Sequence, residues 1–318
     1  MLATLASTAP VYLLIALGFI AVRLDVFTAV ELRVMGRFVL LMALPALLFQ
    51  ALARSPRPSG PEGMYLLAYA GGSLLSFGLV RAWARHARAQ TPASAALSGV
   101  GAAVSNSGII GYPIVAQWLG PTAGLGLALC MLVENLLMIP LAMALADQGA
   151  TKGPWTQTLG HTVRGWAKHP MIIAIVLGFA AAMSGLSLPG PAARAVQILA
   201  GATSPVALFV IGGSLCGVQL QGQRLDIAGV AVAKLLVHPA CVLLAMALLP
   251  GISADMRATG VLFAAMPMLS IYPLLSMKHQ LEGRAAAILL VATLLAFLSI
   301  AVWMWGLPQL WPVHPATA

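Results

Sequence analysis

Charge is scarce in this chain. Of 318 residues, 17 are Lys or Arg and 8 are Asp or Glu, so charged side chains make up 8%. A soluble protein carries roughly 25% to cover its surface. With 60% hydrophobic residues and a mean hydropathy of +0.95, the composition is that of an integral membrane protein. A net charge of +9 on a soluble protein would suggest a polyanionic partner. Here the positives are too dispersed to track a phosphate backbone, and no nucleic acid partner is expected. Cysteine is also rare: Cys130, Cys216 and Cys241 each sit alone in an apolar run, without the spacing of a disulfide framework or a metal site. The N-terminus lacks the basic segment of a secretory signal, and its apolar run continues to Val22, so it reads as a first span that is kept. There is no ATP-binding Gly-rich loop, and the six histidines are scattered rather than gathered with Ser, Asp or Cys. Neither a cofactor nor an enzymatic activity is expected.

What remains is long apolar runs. A bilayer core about 30 Å thick requires about 20 apolar residues in a helix. Cutting the chain at its charge and Gly/Pro clusters predicts ten spans, approximately 5–22, 36–53, 63–80, 92–119, 122–145, 170–187, 195–218, 227–249, 257–277 and 285–307. The 31 glycines and 21 prolines would disrupt soluble helices but are tolerated in membrane helices. The fold class is therefore all-α.

Positive loops stay cytoplasmic. Of the 17 Lys and Arg, twelve fall in one alternating set of connections; Arg54, Arg57, Arg194 and Arg257 fall in the other, and Lys234 lies inside a span. Both termini are therefore expected on the outer, periplasmic side of a multi-pass protein of the cell inner (plasma) membrane. The longest connection is cytoplasmic and separates a first five-span unit, 1–148, from a second, 170–318. Within this linker, 149–169, Trp155, Leu159, Val163 and Trp166 recur at helical spacing, a pattern suited to an interfacial helix.

The two units repeat each other. Pro10, Ile15, Leu17, Gly18, Phe19 and Ala21 match Pro170, Ile175, Leu177, Gly178, Phe179 and Ala181, all at an offset of 160. The same offset pairs Pro45, Leu48 and Phe49 with Pro205, Leu208 and Phe209, and Tyr112-Pro113 with Tyr272-Pro273. Because five is odd, the second copy enters the membrane from the opposite side, which makes the halves inverted repeats. Inverted repeats are an architecture of secondary transporters, with substrate held where discontinuous helices meet.

Two spans carry the marks of discontinuity in corresponding places. The fourth contains Ser105-Asn106-Ser107-Gly108-Ile109-Ile110-Gly111-Tyr112-Pro113, and the ninth contains Met266-Pro267-Met268-Leu269-Ser270-Ile271-Tyr272-Pro273. Proline removes a helical donor and clashes with the preceding turn, so both helices are expected to open near mid-membrane. Open backbone at that depth must be buried in protein or line a cavity. Amides freed at the start of each second half-helix attract an anion. Ser105, Asn106, Ser107 and Ser270 add neutral hydrogen-bonding groups beside them.

The run S-N-S-G-I-I-G-Y-P at 105–113 resembles the fourth-span signature of the auxin efflux carrier family of permeases. A-A-M-P at 264–267, H-P-M-I-I-A-I-V-L-G-F at 169–179, S-P-V-A-L-F-V-I-G-G-S-L at 204–215 and K-L-L-V-H-P at 234–239 are similar to that family's ninth, sixth, seventh and eighth spans. The resemblance covers essentially the whole chain. It implies ten spans in two inverted five-helix repeats, the fold shared with bile acid symporters, and a site where helices 4 and 9 cross. Asn106 and Pro113 map onto the fourth-span crossover and Tyr272 and Pro273 onto the ninth. Many members have an asparagine shortly after the ninth-span Met-Pro. This sequence has M-L-S-I-Y instead, which hands that role to Ser270 or Tyr272 and resembles the bacterial malonate-transporter branch.

Charges inside spans are functional candidates because they are costly there. Glu134 lies about twelve residues into the fifth span, at a depth of about 18 Å, and suits a proton carrier or, with Asn135, a cation ligand. Its structural alternative is a partner for Lys234. Lys234 and His238 are four apart and share a face. Lys234 is close enough to the cytoplasmic edge to snorkel, while His238 is deeper.

The sequence thus predicts a secondary active carrier of a small organic anion, most simply a dicarboxylate such as malonate, working by elevator-type alternating access. Substrate binding is expected at Ser105, Asn106, Ser107, Gly108, Tyr112, Pro113, Ser270, Tyr272 and Pro273, with ion coupling at Glu134, Asn135, Lys234 and His238. Coupling is to Na+ or H+, the partners are the anion and the lipid bilayer, and a homodimer is one assembly. An auxin-like or other monocarboxylate efflux carrier is the alternative, ahead of a channel or an intramembrane enzyme.

Overall fold

The computed structural model describes residues 2–53, 61–147, 170–185, 188–214, 216 and 224–313. The interfacial helix expected within 149–169 lies outside them. The described residues form an all-helical integral membrane protein. Its helices are α1 (Leu2–Arg23), α2 (29–53), α3 (61–87), α4 (Pro92–Ala103), α5 (107–119), α6 (Thr122–Ala146), α7 (Pro170–Ser184), α8 (Gly190–Ser214), α9 (Arg224–Leu248), α10 (Ala254–Ala265), α11 (272–279) and α12 (Glu282–Leu310). Six segments are long and apolar enough to cross a membrane: Val30–Ala53, Glu62–Ala87, Thr122–Ala146, Gly190–Gly213, Arg224–Leu248 and Glu282–Leu310. Their outer faces carry exposed Leu, Ile and Val, among them Ile198, Leu244, Leu298 and Val302, as lipid contact requires.

Polar caps fix the starts of several helices, and α2 and α10 begin earlier than hydropathy alone places them. Thr28 and Glu31 form a reciprocal capping box on α2, Thr91 caps α4 ahead of Pro92, and Ser253 caps α10. The break in the fourth segment follows Ala103, and that in the ninth follows Ala265. Between the breaks the chain segments pair as a single antiparallel bridge, Ser105 with Met268, and the Asn106 amide donates to the Pro267 carbonyl at 2.8 Å.

Five helices widen into one π turn, at Val39–Ala43, Trp83–Ala87, Ser107–Gly111, Glu134–Met138 and Ala233–Val237. All but the one at Trp83–Ala87 end two residues before a proline: Pro45, Pro113, Pro140 and Pro239. The proline ring would strike the carbonyl four residues back, and the wider turn gives it room. The carbonyl so released before Pro239, that of Leu235, accepts from Trp303 Nε1 at 3.1 Å and Ser299 Oγ at 3.4 Å.

The helices sort into two packed sets. α1 lies along α8, and α7 along α2, with α8 also against α2. At these contacts a Cβ on Gly18 would meet the Phe209 carbonyl, and one on Gly178 would come within 3.1 Å of the Phe49 carbonyl. These glycines and phenylalanines are the same residues that match at an offset of 160. The second set joins α3, α4, α6, α9, α10 and α12, with α3 against α9 and α4, and α11 against α12. The sets meet where α2 crosses α6, with Gly124 against Ala51, and where α1 and α8 cover α5.

Candidate functional site

Both broken helices end at the crossing, and the polar residues of the membrane interior gather around one side of it. Ser105, Asn106 and Ser107 are all buried. Glu134, placed on the π turn of α6, accepts through Oε1 from the Tyr69 hydroxyl (2.9 Å), the Ser107 hydroxyl (2.9 Å) and the Ser105 amide (3.1 Å). Its carboxylate therefore sits just ahead of α5, at the positive end of that half-helix.

Lys234, on the π turn of α9, is fully buried. It does not snorkel to the edge as its sequence position suggested, because α4, α10 and α12 close around its helix and offer acceptors inside. Its Nζ donates to the Ala264 carbonyl (2.6 Å), Ser105 Oγ (2.8 Å) and His238 Nδ1 (2.9 Å). A lysine only donates, so Nδ1 of His238 accepts and the ring proton sits on Nε2, which donates to Ser73 Oγ at 3.0 Å. Glu134 and Lys234 are linked through Ser105, whose amide serves the carboxylate and whose hydroxyl serves the ammonium. Among the described residues the ion pairs fall elsewhere.

The remaining expected residues are placed as follows. Asn106 Nδ2 donates to Ser270 Oγ at 2.6 Å, and Ser270 is exposed. Gly108 packs on Leu44 of α2, where a Cβ would come within 2.8 Å of that side chain. Pro113 lines a cavity of about 280 Å3 with Leu14, Ala116, Gln117, Ser204, Pro205 and Leu208. Tyr112 is half-buried beside it. Tyr272 is buried with its hydroxyl donating to the Leu97 carbonyl at 3.0 Å and its ring against Gly101, so it braces α4 rather than facing the opening. Pro273 follows it, half-buried. Asn135 donates through Nδ2 to the Met131 carbonyl at 2.8 Å. Among the described residues no three His, Cys, Asp or Glu side chains gather as a metal site.

Sequence reading missed two contributions. One is the face of α3 that carries Tyr65, Tyr69 and Ser73 at four-residue intervals, all fully buried. Tyr69 holds Glu134, and Tyr65 lies 3.1 Å from Cys130 Sγ. The repeating four-residue spacing of polar side chains was the available signal. The other is a polar cluster at one end of the second helix set. Asp226 accepts from Arg88 Nε at 2.7 Å and Gln90 Nε2 at 2.9 Å, while Arg284 donates to Ser94 and Ser98. Counted as loop charges, these residues gave no hint of burial.

A model of the family described as "Membrane transport protein" matches residues 3–304. The chain is 30% identical over 294 residues to the Rhizobium meliloti (strain 1021) protein named "Putative malonate transporter", covering 92% of each chain. It is 25% identical over 244 residues to the "Uncharacterized transporter YfdV" of Escherichia coli (strain K12), covering 74% of this chain and 76% of that one. To an "Uncharacterized transporter" of Methanothermobacter thermautotrophicus it is 26% identical over 302 residues, covering 92% and 95%. A pair of interrupted helices crossing beside a buried network, in a chain matched from residue 3 to 304, makes this a membrane transporter and not an enzyme; it belongs to the membrane transport protein family, the auxin efflux carrier family that its fourth-span motif resembles.

Proposed function

We propose that the protein is a secondary active carrier of a small organic anion, a dicarboxylate of the malonate class, which binds at the crossing of the two broken helices. The observation that carries this reading is the Asn106–Ser270 pair: two neutral hydrogen-bonding side chains, one from each broken helix, meeting where Ser270 is open to the outside of the protein. Ser105 and Ser107 are occupied by Lys234 and Glu134, so they position the site. Gly108, Tyr112, Pro113, Tyr272 and Pro273 shape the two tips. The name of the Rhizobium meliloti relative supports the choice of malonate.

The chain crosses the inner membrane ten times, as two inverted five-helix units, 1–148 and 170–318, joined by the linker 149–169, with both termini outside. The glycine contacts support the repeat, since Gly18 of the first unit meets Phe209 of the second and Gly178 of the second meets Phe49 of the first. The two packed helix sets support an elevator movement. The set α1, α2, α7 and α8 is the fixed frame, and the set carrying the crossing slides against it. Glu134, Asn135, Lys234 and His238 are the groups available to couple that movement to an ion, Na+ or H+.

Counterflow of labelled malonate in proteoliposomes tests this. Saturable exchange is expected, with Asn106→Ala and Ser270→Ala each weakening substrate binding in a folded protein. Wild-type affinity in both variants would remove the crossing from the binding site, and unsaturable conduction would replace the carrier with a channel.

A further inference from the structure

We propose that Lys234 is a built-in cation: its ammonium occupies a monovalent-cation seat between the ends of the first halves of the two broken helices, so the carrier works without sodium. The argument begins with the seat. Helix α10 ends at Ala265, and the Ala264 carbonyl belongs to its last turn, where carbonyls lack intrahelical donors and the helix carries partial negative charge. Helix α4 ends at Ala103, and Ser105 Oγ lies two residues beyond. The antiparallel bridge between Ser105 and Met268 holds these two ends together. Two oxygens from separate chain breaks and a ring nitrogen converge as three acceptors, a set that matches the three N–H donors of an ammonium-type monovalent cation.

Lys234 Nζ fills that position. Its three contacts, at 2.6, 2.8 and 2.9 Å, use all three ammonium donors. The side chain has no solvent exposure, so its charge depends on the acceptors of the seat and on the nearby Glu134 carboxylate. His238 reinforces the assignment, because its Nδ1 accepts from Nζ while Ser73 receives its Nε2 proton. Glu134 occupies the opposite electrostatic position, next to the start of α5. A tethered cation at the negative ends and a tethered anion at the positive end leave the broken helices internally neutralised before any ligand arrives. A free sodium ion would have to displace an ammonium that cannot leave.

This deepens the carrier reading by naming what its driving ion is not, and it is testable without any substrate. The full-length protein, purified in detergent, is unfolded thermally in NaCl, KCl and choline chloride at matched ionic strength. Wild type is expected to show one midpoint in all three salts, and a rise specific to sodium would overturn the proposal. In Lys234→Ala, whose seat is vacated, methylammonium is expected to raise the midpoint saturably by at least about 2 °C. Tetramethylammonium, which has no N–H to donate, should give no rise. A folded Lys234→Ala that responds equally to both would also overturn the proposal. The wild-type comparison needs no variant, so misfolding of Lys234→Ala does not remove the test. No arm uses malonate, so failure of the dicarboxylate reading would appear in counterflow and not here.

Discussion

Ile110 and Ser270 stand at corresponding places, 160 residues apart, just ahead of Tyr112-Pro113 and Tyr272-Pro273, yet Ile110 is 3% exposed and Ser270 lies open. Ile114 and Leu274 differ in the same way, at 2% against 62%. The cause is the neighbouring frame. Helices α8 and α1 lie against α5, whereas α11 rests on α12 with no comparable cover from α2 or α7. The buried tip also carries the wiring: Ser105 and Ser107 hold Lys234 and Glu134, while the exposed tip contributes the Ala264 carbonyl and the Ser270 hydroxyl. Similar sequence breaks have therefore produced one tip that is a structural hub and one whose Ser270 and Leu274 are exposed.

The comparison makes graded predictions for unfolding in detergent. Glu134→Ala should cost the most, about 3–5 kcal/mol, because it strands Tyr69, Ser107 and the Ser105 amide and leaves the Lys234 charge without its counter-charge. A loss below 1 kcal/mol would show that the hub is not structural. Gly108→Val should follow, at about 1–3 kcal/mol, since the added carbons meet Leu44 in a packed interface. Asn106→Ala should lose about 1 kcal/mol with its bond to Ser270. Ser270→Cys should stay within about 0.5 kcal/mol of wild type. In a Cys216→Ser background, with Cys130 and Cys241 buried, Ser270→Cys should react rapidly with a water-soluble maleimide while Ser107→Cys stays unmodified. Equal labelling of the two would abolish the asymmetry. Protection of Ser270→Cys by malonate would sharpen it into a statement about the site.

Much of this was legible in the sequence. Prolines marked both breaks, with Gly108 and Gly111 beside the first, because their effect on a helix is local and needs no knowledge of neighbours. Glu134 announced itself by depth. Lys234 was identified as a charge inside a span but assigned the wrong surroundings, since eight residues from an edge describes reach and not what encloses the side chain. The tyrosine face of α3 showed in the sequence only as a four-residue spacing, and its role appears once Glu134, 65 positions beyond Tyr69, is brought beside it. Asp226, Arg88 and Arg284 were hidden for the same reason: their burial is produced by helices far apart in the chain.

The contact of Gly18 with Phe209 has a consequence for how the protein is made. Helix α1 leaves the ribosome well before α8, and the surface shaped to receive its glycine is synthesised only when the chain has reached α8. Gly178 is differently placed, because Phe49 already waits in the bilayer when it arrives. Helix α1 must therefore be inserted and kept in the membrane without its partner until α8 follows, and a bulky residue at Gly18 would act late, as a failure of closing rather than of insertion.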